Sequence, residues 1–210
     1  MTETVFVVDD DPSVLKGLRR LLASAGLNAV TFDSPLAFLE AYDASAPGCL
    51  VLDMAMPGLN GLELQQALAE RGGAPPIIFL TGHGDVPLSV QAMKRGAADF
   101  LTKPVNDEDL LAAIRQAFER DRQLRAEWAG LADIQRRLAT LTAREREVLL
   151  HVVSGRLNKQ IAAELGTVEK TVKVHRARVM EKMRAQSLAE LVRLVQDAGL
   201  KPTEPRRGLD

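Results

Sequence analysis

The chain has one cysteine, one tryptophan, one tyrosine and three histidines in 210 residues. A single thiol excludes an internal disulfide framework and suits a reducing compartment. Cys49 sits in an apolar run, where packing is its expected role. No apolar stretch approaches the roughly 20 residues that cross a bilayer, so no membrane partner is expected. The start Met1-Thr2-Glu3-Thr4 lacks the regions of a secretory signal, and a cytoplasmic protein is expected. A strong net charge is also missing, at −1 overall. That balance hides an asymmetry. Residues 1–118 hold 8 Lys and Arg against 15 Asp and Glu, whereas residues 139–201 hold 12 against 7. An acidic half is thus joined to a half suited to nucleic acid. The apolar content of 46% permits a sizeable core in one large or two small domains.

The chain is organised around Cys49-Leu50-Val51-Leu52-Asp53, followed by the Pro/Gly/Asn-rich loop Met54–Gly61. Such a short apolar run predicts a buried strand of a parallel sheet. Asp53 then stands at its carboxyl end, the edge where open α/β sheets bind ligands. Similar runs are Val5–Val8, ending at Asp9-Asp10-Asp11, Asn28–Phe32, Ile77–Leu80, ending at Thr81, and Phe100–Thr102, ending at Lys103. Helical spacing lies between them: Leu15, Leu18, Leu21 and Leu22; Leu36–Tyr42; Leu62, Leu64 and Leu68; Val90 and Met93. Asp11 and Asn106 are expected helix caps. Five alternating strands and helices predict a doubly wound, five-stranded parallel sheet of the flavodoxin-like α/β class. Its carboxyl edge gathers Asp9, Asp10, Asp53, Thr81 and Lys103.

Clustered carboxylates repel one another and recruit cations. Oxygen ligands without histidine favour a hard divalent ion, and Mg²⁺ suits a site that also holds a phosphate oxygen. Lys103 supplies a compact positive charge and Thr81 a hydroxyl. These are the parts of a phosphoryl-transfer site, with the Asp53 carboxylate as nucleophile and an acyl phosphate as product.

Val-Val-Asp-Asp-Asp, Leu-Asp-Met-Ala-Met-Pro-Gly-Leu-Asn-Gly, Leu-Thr-Gly-His-Gly-Asp and Asp-Phe-Leu-Thr-Lys-Pro, in order over residues 3–120, resemble the receiver domain of two-component response regulators. The resemblance implies that Asp53 takes a phosphoryl group from a sensor histidine kinase. It implies Asp10 as a direct Mg²⁺ ligand, Asp9 as a water-mediated one, and the backbone carbonyl of Ala55 as a further ligand. Thr81 and Lys103 would contact the phosphoryl oxygens, Phe100 would be the aromatic that changes rotamer, and Lys103-Pro104 would be cis. Ala55 and His83 would tune the lifetime of the phosphate.

From Glu119 to Arg137 the chain is rich in Arg and Glu and reads as a helical linker. Trp128 is expected to pack where linker and domain meet. The last third shows only helical patterns. Thr142 with Glu145 and Ser187 with Glu190 form capping-box patterns, and Asn158 is placed as the cap of a short helix. A longer helix, Glu169–Arg184, puts Val172, Val179 and Met183 on one face and Lys170, Lys173, Val174 and Ala177 on the other. A short helix, a tight turn and a basic helix suggest a helix-turn-helix reader of double-stranded DNA.

Leu141–Leu149, Asn158-Lys159-Gln160-Ile161-Ala162 and Thr171-Val172-Lys173-Val174-His175-Arg176 resemble the LuxR-type DNA-binding domain. With the receiver motifs, the chain resembles the FixJ subfamily of transcriptional regulators. The resemblance implies that Lys173, Val174 and Ala177 face bases while Lys159, Lys170, Thr171 and Arg178 lie near phosphates. His175 is expected to pack. Thr167-Val168 departs from the usual Ile-Ser, so the recognition helix is expected either to be capped by Thr167 or to start less firmly.

The expected divisions are a receiver at 1–120, a linker at 121–138, a DNA-binding domain at 139–200 and a disordered tail at 201–210. The expected function is a transcriptional response regulator that forms a homodimer when phosphorylated, with RNA polymerase as a further partner. Its dimer face is expected on the Val86–Arg95 helix, the Phe100–Thr102 strand and the next helix, which carry both charge signs. Leu194 is expected to meet a second copy. One rival is an aspartyl-phosphate phosphatase, which wants a second carboxylate where Ala55 stands. Another is an adaptor with a silent pocket, which leaves the acid, threonine and lysine set without a role. A turnover enzyme is not expected.

Overall fold

The computed structural model describes residues 2–82 and 86–200, so the expectations for His83 and for the tail lie outside the described residues. The chain forms two compact units, Met1–Arg125 and Ala126–Asp210.

The first unit alternates strand and helix: β1 Thr4–Val8, α1 Pro12–Ser24, β2 Asn28–Phe32, α2 Pro35–Ala41, β3 Gly48–Asp53, α3 Gly61–Arg71, β4 Ile77–Thr81, α4 Val86–Lys94, β5 Asp99–Thr102 and the start of α5, Asp107–Ala139. All strand pairs are parallel, in the order β2-β1-β3-β4-β5. The doubly wound fold expected from the sequence is present.

Alternation along each strand builds two cores. Phe6, Val8, Leu50, Leu52 and Phe79 face Phe38, Leu64 and Leu68. Val5, Val7, Val51, Ile78 and Leu80 face Leu18, Leu22, Leu110 and Ile114, with buried Cys49 among them. A strand buried on both faces needs an unbroken apolar run, which β3 supplies. Each fully buried large aliphatic contributes about 1.5–3 kcal/mol. Burial pushes the Cys49 thiol pKa up, as expected of a packing residue.

The helix starts follow local side-chain chemistry. Asp11 caps α1 by accepting the Ser13 N–H at 2.7 Å. Asn60 and Glu63 close a capping box on α3. Asn106 accepts the Glu108 and Asp109 N–H groups at 2.8 and 3.2 Å and opens α5. Gly48 starts β3 with φ +155°, where a Cβ would lie 1.9 Å from the Thr4 carbonyl oxygen. Asp121, buried on α5, accepts the Gly48 N–H at 3.0 Å and the Arg125 Nε–H at 2.7 Å. Arg125 also donates to the Ser45 and Ala46 carbonyls, tying α5 to the loop before β3.

The second unit contains the end of α5 and α6 Ala143–Val153, α7 Asn158–Glu164, α8 Glu169–Met183 and α9 Leu188–Asp197. Val148, Leu149, Ile161, Val172, Val179, Met183, Leu191 and Val195 form its core with Ile134 and Leu138.

Several local expectations are corrected. Asn158 is the first residue of α7, not its cap; the Gln160 side chain takes the Leu157 N–H at 2.8 Å. Asn158 instead accepts from Arg176 at 3.3 Å, joining α7 to α8. Of the two expectations for α8 the less firm start holds and the Thr167 cap does not: Val168 takes the cap place without a side-chain bond, which costs about 1 kcal/mol relative to a polar cap. Ser187 caps α9, but Glu190 turns to the Gln186 N–H, leaving the box half formed. Leu194 is not free, because it packs against the third core. Trp128, expected to pack, is 60% exposed on α5.

Candidate functional site

Backbone ladders bring the chemistry to one edge of the sheet. The Asp9 N–H donates to the Phe32 carbonyl at 3.2 Å, Met54 N–H to Leu80 at 2.9 Å, and Lys103 N–H to Thr81 at 2.6 Å. These bonds fix the chain just beyond β1, β3 and β5. Lys103-Pro104 is cis, as expected. Gly61 lets the loop after Asp53 close, since a Cβ there would lie 2.8 Å from the Asp53 carbonyl oxygen and 3.0 Å from the Phe79 ring.

The Lys103 ammonium bridges two carboxylates. It donates to Asp9 Oδ2 at 2.6 Å and to Asp53 Oδ1 at 2.5 Å. The remaining oxygens are occupied as well. Asp9 Oδ1 accepts the Asp11 N–H at 2.9 Å, and Asp53 Oδ2 accepts the Ala55 N–H at 2.9 Å. Asp9 and Asp53 are 1% and 5% exposed. Burial pulls the Lys103 pKa down, but hydrogen bonds to Asp53 and Asp9 outweigh it and leave the pKa raised. Two ionised carboxylates against one ammonium leave a net negative charge in a poorly solvated place. Such an imbalance favours binding of a further cation.

Thr81 is buried at the end of β4. Phe79 and Thr81 share a face of that strand, and Phe100 pairs with Phe79 in register. The two rings lie 6.4 Å apart, and Phe100 is half-buried. Thr81 and Phe100 therefore share one face. Asp10 is exposed beside the cluster, and Ala55 is exposed in the loop. Among the described residues no three His, Cys, Asp or Glu side chains stand close enough to hold a metal. The expected metal set is thus gathered only in part, as Asp9 with Asp53. Their oxygen-only donors, converging on one cation, suit Mg²⁺.

The second candidate surface is on α8. Val172, Val179 and Met183 are buried, while Lys170, Lys173, Val174, Ala177 and Arg178 are exposed and Thr171 is half-buried. At 3.6 residues per turn, Lys170, Lys173, Val174 and Ala177 fall within an arc of about 100°, opposite the buried stripe. Lys159 is exposed on α7. Lys173 pairs with Glu169 at 3.0 Å, an exposed pair that contributes little and yields readily to a stronger anion. His175 is half-buried, in keeping with packing.

Sequence reasoning missed the groups that hold this scaffold. Glu145 is buried and accepts from Lys182 at 2.6 Å and from the Thr142 N–H at 2.9 Å. The Lys182 ammonium, helped by that N–H, lowers its pKa to about 2. Its place in the capping pattern was legible; its partner 37 residues away was not.

The family model for response regulator receiver domains matches residues 5–115, and that for luxR-family bacterial regulatory proteins matches residues 139–195. This chain is a response regulator of the FixJ subfamily. The regulator is 46% identical over 200 residues to the transcriptional regulatory protein FixJ of Azorhizobium caulinodans, covering 95% of each chain. It is 47% identical over 196 residues to nodulation protein W of Bradyrhizobium diazoefficiens, covering 93% of this chain and 86% of that one. Among solved structures, the response regulator StyR is 48% identical with a TM-score of 0.82, covering 93% and 99% of the two chains. The regulator is thus a two-component, DNA-binding transcriptional regulator whose receiver precedes its LuxR-type domain. Among the described residues no helix is long and apolar enough to cross a membrane.

Proposed function

We propose that Asp53 accepts a phosphoryl group from a sensor histidine kinase in the cytoplasm. A carboxylate oxygen forms the new O–P bond while the P–N bond to the donor histidine breaks, and the released nitrogen takes a proton. An ionised carboxylate needs no general base for this. Lys103 and Thr81 contact the phosphoryl oxygens. Asp9, Asp10, Asp53 and the Ala55 carbonyl hold Mg²⁺, which when bound offsets charge on the transferring phosphoryl. The receiver promotes its own phosphorylation and dephosphorylation but turns over no other substrate. Ala55 stands where a phosphatase of related chemistry would need its second carboxylate.

The organisation follows the same reading: a receiver at 1–120, a linker at 121–138, a DNA-binding domain at 139–200 and a tail at 201–210. Lys173, Val174 and Ala177 read bases; Lys159, Lys170, Thr171 and Arg178 approach phosphates. The added phosphoryl draws Thr81 toward it, Phe100 changes rotamer, and two copies pair through the face of α4, β5 and α5. The paired DNA-binding domains engage two half-sites, and contact with RNA polymerase follows at the promoter.

The observation that carries the proposal is the bridged pair, with Lys103 held between Asp9 and Asp53 at the sheet edge. Intact mass after a small phosphodonor and Mg²⁺ tests it. An adduct on wild type and none on Asp53→Asn is expected. Equal adduct on Asp53→Asn would overturn it.

A further inference from the structure

Two helices of the second unit end side by side, and each is capped by a cation from the other. Arg137, near the end of α5, donates from Nη1 to the Met183 carbonyl at 3.0 Å, where α8 ends. Lys182, on α8, donates to the Thr140 carbonyl at 3.0 Å, just past the end of α5. Helix ends leave carbonyls without partners and carry partial negative charge. Two such ends placed together repel, and a cation from each side offsets this. Both cations are held in turn. Asp133 pairs with the other arm of Arg137, and buried Glu145 accepts from Lys182 at 2.6 Å. All of these residues belong to the second unit. Asp133 and Arg137 lie outside residues 139–195, the segment that the luxR-family model matches.

The polar ties along α8 are unequal. At its start Val168 makes no side-chain bond that caps the helix. Further on, Arg176 reaches Asn158 of α7 at 3.3 Å, a long bond. At its end the shorter exchange with α5 and α6 sits beside Arg184, whose φ of 53° is left-handed. A residue other than glycine persists there only where its surroundings fix it. Val172, Val179 and Met183 hold α8 on the core, but apolar burial is non-directional. The angle of the helix is therefore set mainly at its C-terminus. Lys173 and Ala177 lie ten and six residues before Met183, about 15 and 9 Å along the axis. A tilt of about 5° at that end moves them by about 1 Å, enough to spoil a hydrogen bond to a base edge.

We infer that Arg137 and Lys182 are positioning residues for DNA reading: by capping each other's helices they fix the angle at which α8 presents Lys173, Val174 and Ala177. The inference rests on the reading that this face of α8 meets bases. It also makes the last turns of α5 part of the reader rather than a passive linker.

The test uses the full chain with acetyl phosphate and Mg²⁺. Wild type first selects its preferred sequences from a pool of random-sequence duplexes. Each variant is then titrated on the best-bound duplex and on a scrambled one across a salt series, and denaturant unfolding gives its folded fraction. Arg137→Met keeps the stem and removes the donors. It is expected to lose about tenfold of the preference for the selected duplex, the worth of one good base contact, while binding the scrambled duplex with unchanged affinity and salt slope. Arg137→Lys keeps a donor and a charge and should recover most of that preference. Lys182→Met breaks the exchange from the other helix, should lose the preference alike, and serves in place of Arg137→Met if that variant does not fold. Equal losses on both duplexes, following the folded fraction, would overturn the inference and leave the exchange a source of stability alone. Preference retained in Arg137→Met and Lys182→Met would overturn it too. Lys173→Ala tells this failure from failure of the base-reading face. If Lys173→Ala loses preference at one base pair while the other two variants do not, the face stands and the positioning falls. If wild type selects no sequence, or Lys173→Ala keeps full preference, the face falls and the inference with it.

Discussion

The two halves of the regulator handle charge in opposite ways. At the receiver edge, Asp9 and Asp53 are almost fully buried around one ammonium. On α8, Lys170, Lys173 and Arg178 stand in solvent. Buried charge interacts strongly and is costly to leave unmatched, so adding or removing one group changes the balance by several kcal/mol. Exposed charge is cheap to keep and screened by salt, which suits reversible contact with a polyanion. The first arrangement suits a switch and the second a reader.

The comparison breaks most sharply at the buried edge. Gly61→Ala would force a Cβ to within 2.8 Å of the Asp53 carbonyl. It is expected to cost about 1–3 kcal/mol of stability, by overpacking, and to slow adduct formation on Asp53. Denaturant unfolding and timed intact mass measure the two effects. Gly130→Ala, with nothing within 4 Å on the exposed part of α5, should be neutral or stabilising. Equal losses at the two glycines would remove the contrast.

The reader should respond more weakly and in proportion to role. Lys173→Ala is expected to cost about 1–3 kcal/mol of DNA affinity and to relax preference at one base pair. Titration against sequence variants of the site measures it.

A single buried charge pair inside the reader sharpens the comparison further. The Glu145 pKa is held at about 2, against an ordinary value of 4.5. A lowered folded-state pKa adds stability above the unfolded value, and that stability is lost as pH falls from about 4.5 through about 2. Glu145→Gln keeps the cap geometry and removes the charge. It should cost about 1 kcal/mol at pH 7, the usual worth of a charge-assisted bond with a partly exposed partner, and show a flatter stability profile over that acid window. Denaturant unfolding at a series of pH values checks this. The smallest effect is expected at Lys170→Ala. It should weaken all sequences alike and reduce the slope of log affinity against log salt by about one.

Much of this contrast was legible in the residues. The run into Asp53 predicted a buried central strand because both faces of β3 meet helices. The same logic placed Asp9, Thr81 and Lys103 at one edge. Lys170, Lys173 and Val174 fell opposite Val172 because helical periodicity is a local property. What stayed hidden depended on partners distant in sequence. Nothing near Lys103 shows that its ammonium reaches Asp9, 94 residues away. Asn158 looked like a cap because its residue type favours one, and only the contact with Arg176 shows its different use. Trp128 was misplaced because an aromatic's burial depends on what the fold brings to it.

The central claim is that charge added at the buried edge governs binding by the exposed helix. The most direct measurement is affinity of the full chain for paired and single half-sites, with and without a small phosphodonor, for wild type and Asp53→Asn. The account predicts that the phosphodonor tightens wild-type binding to paired half-sites by at least about tenfold, as linked sites allow, with little gain on a single half-site and none in Asp53→Asn. Equal gain on a single half-site, or the same gain in Asp53→Asn, would contradict it.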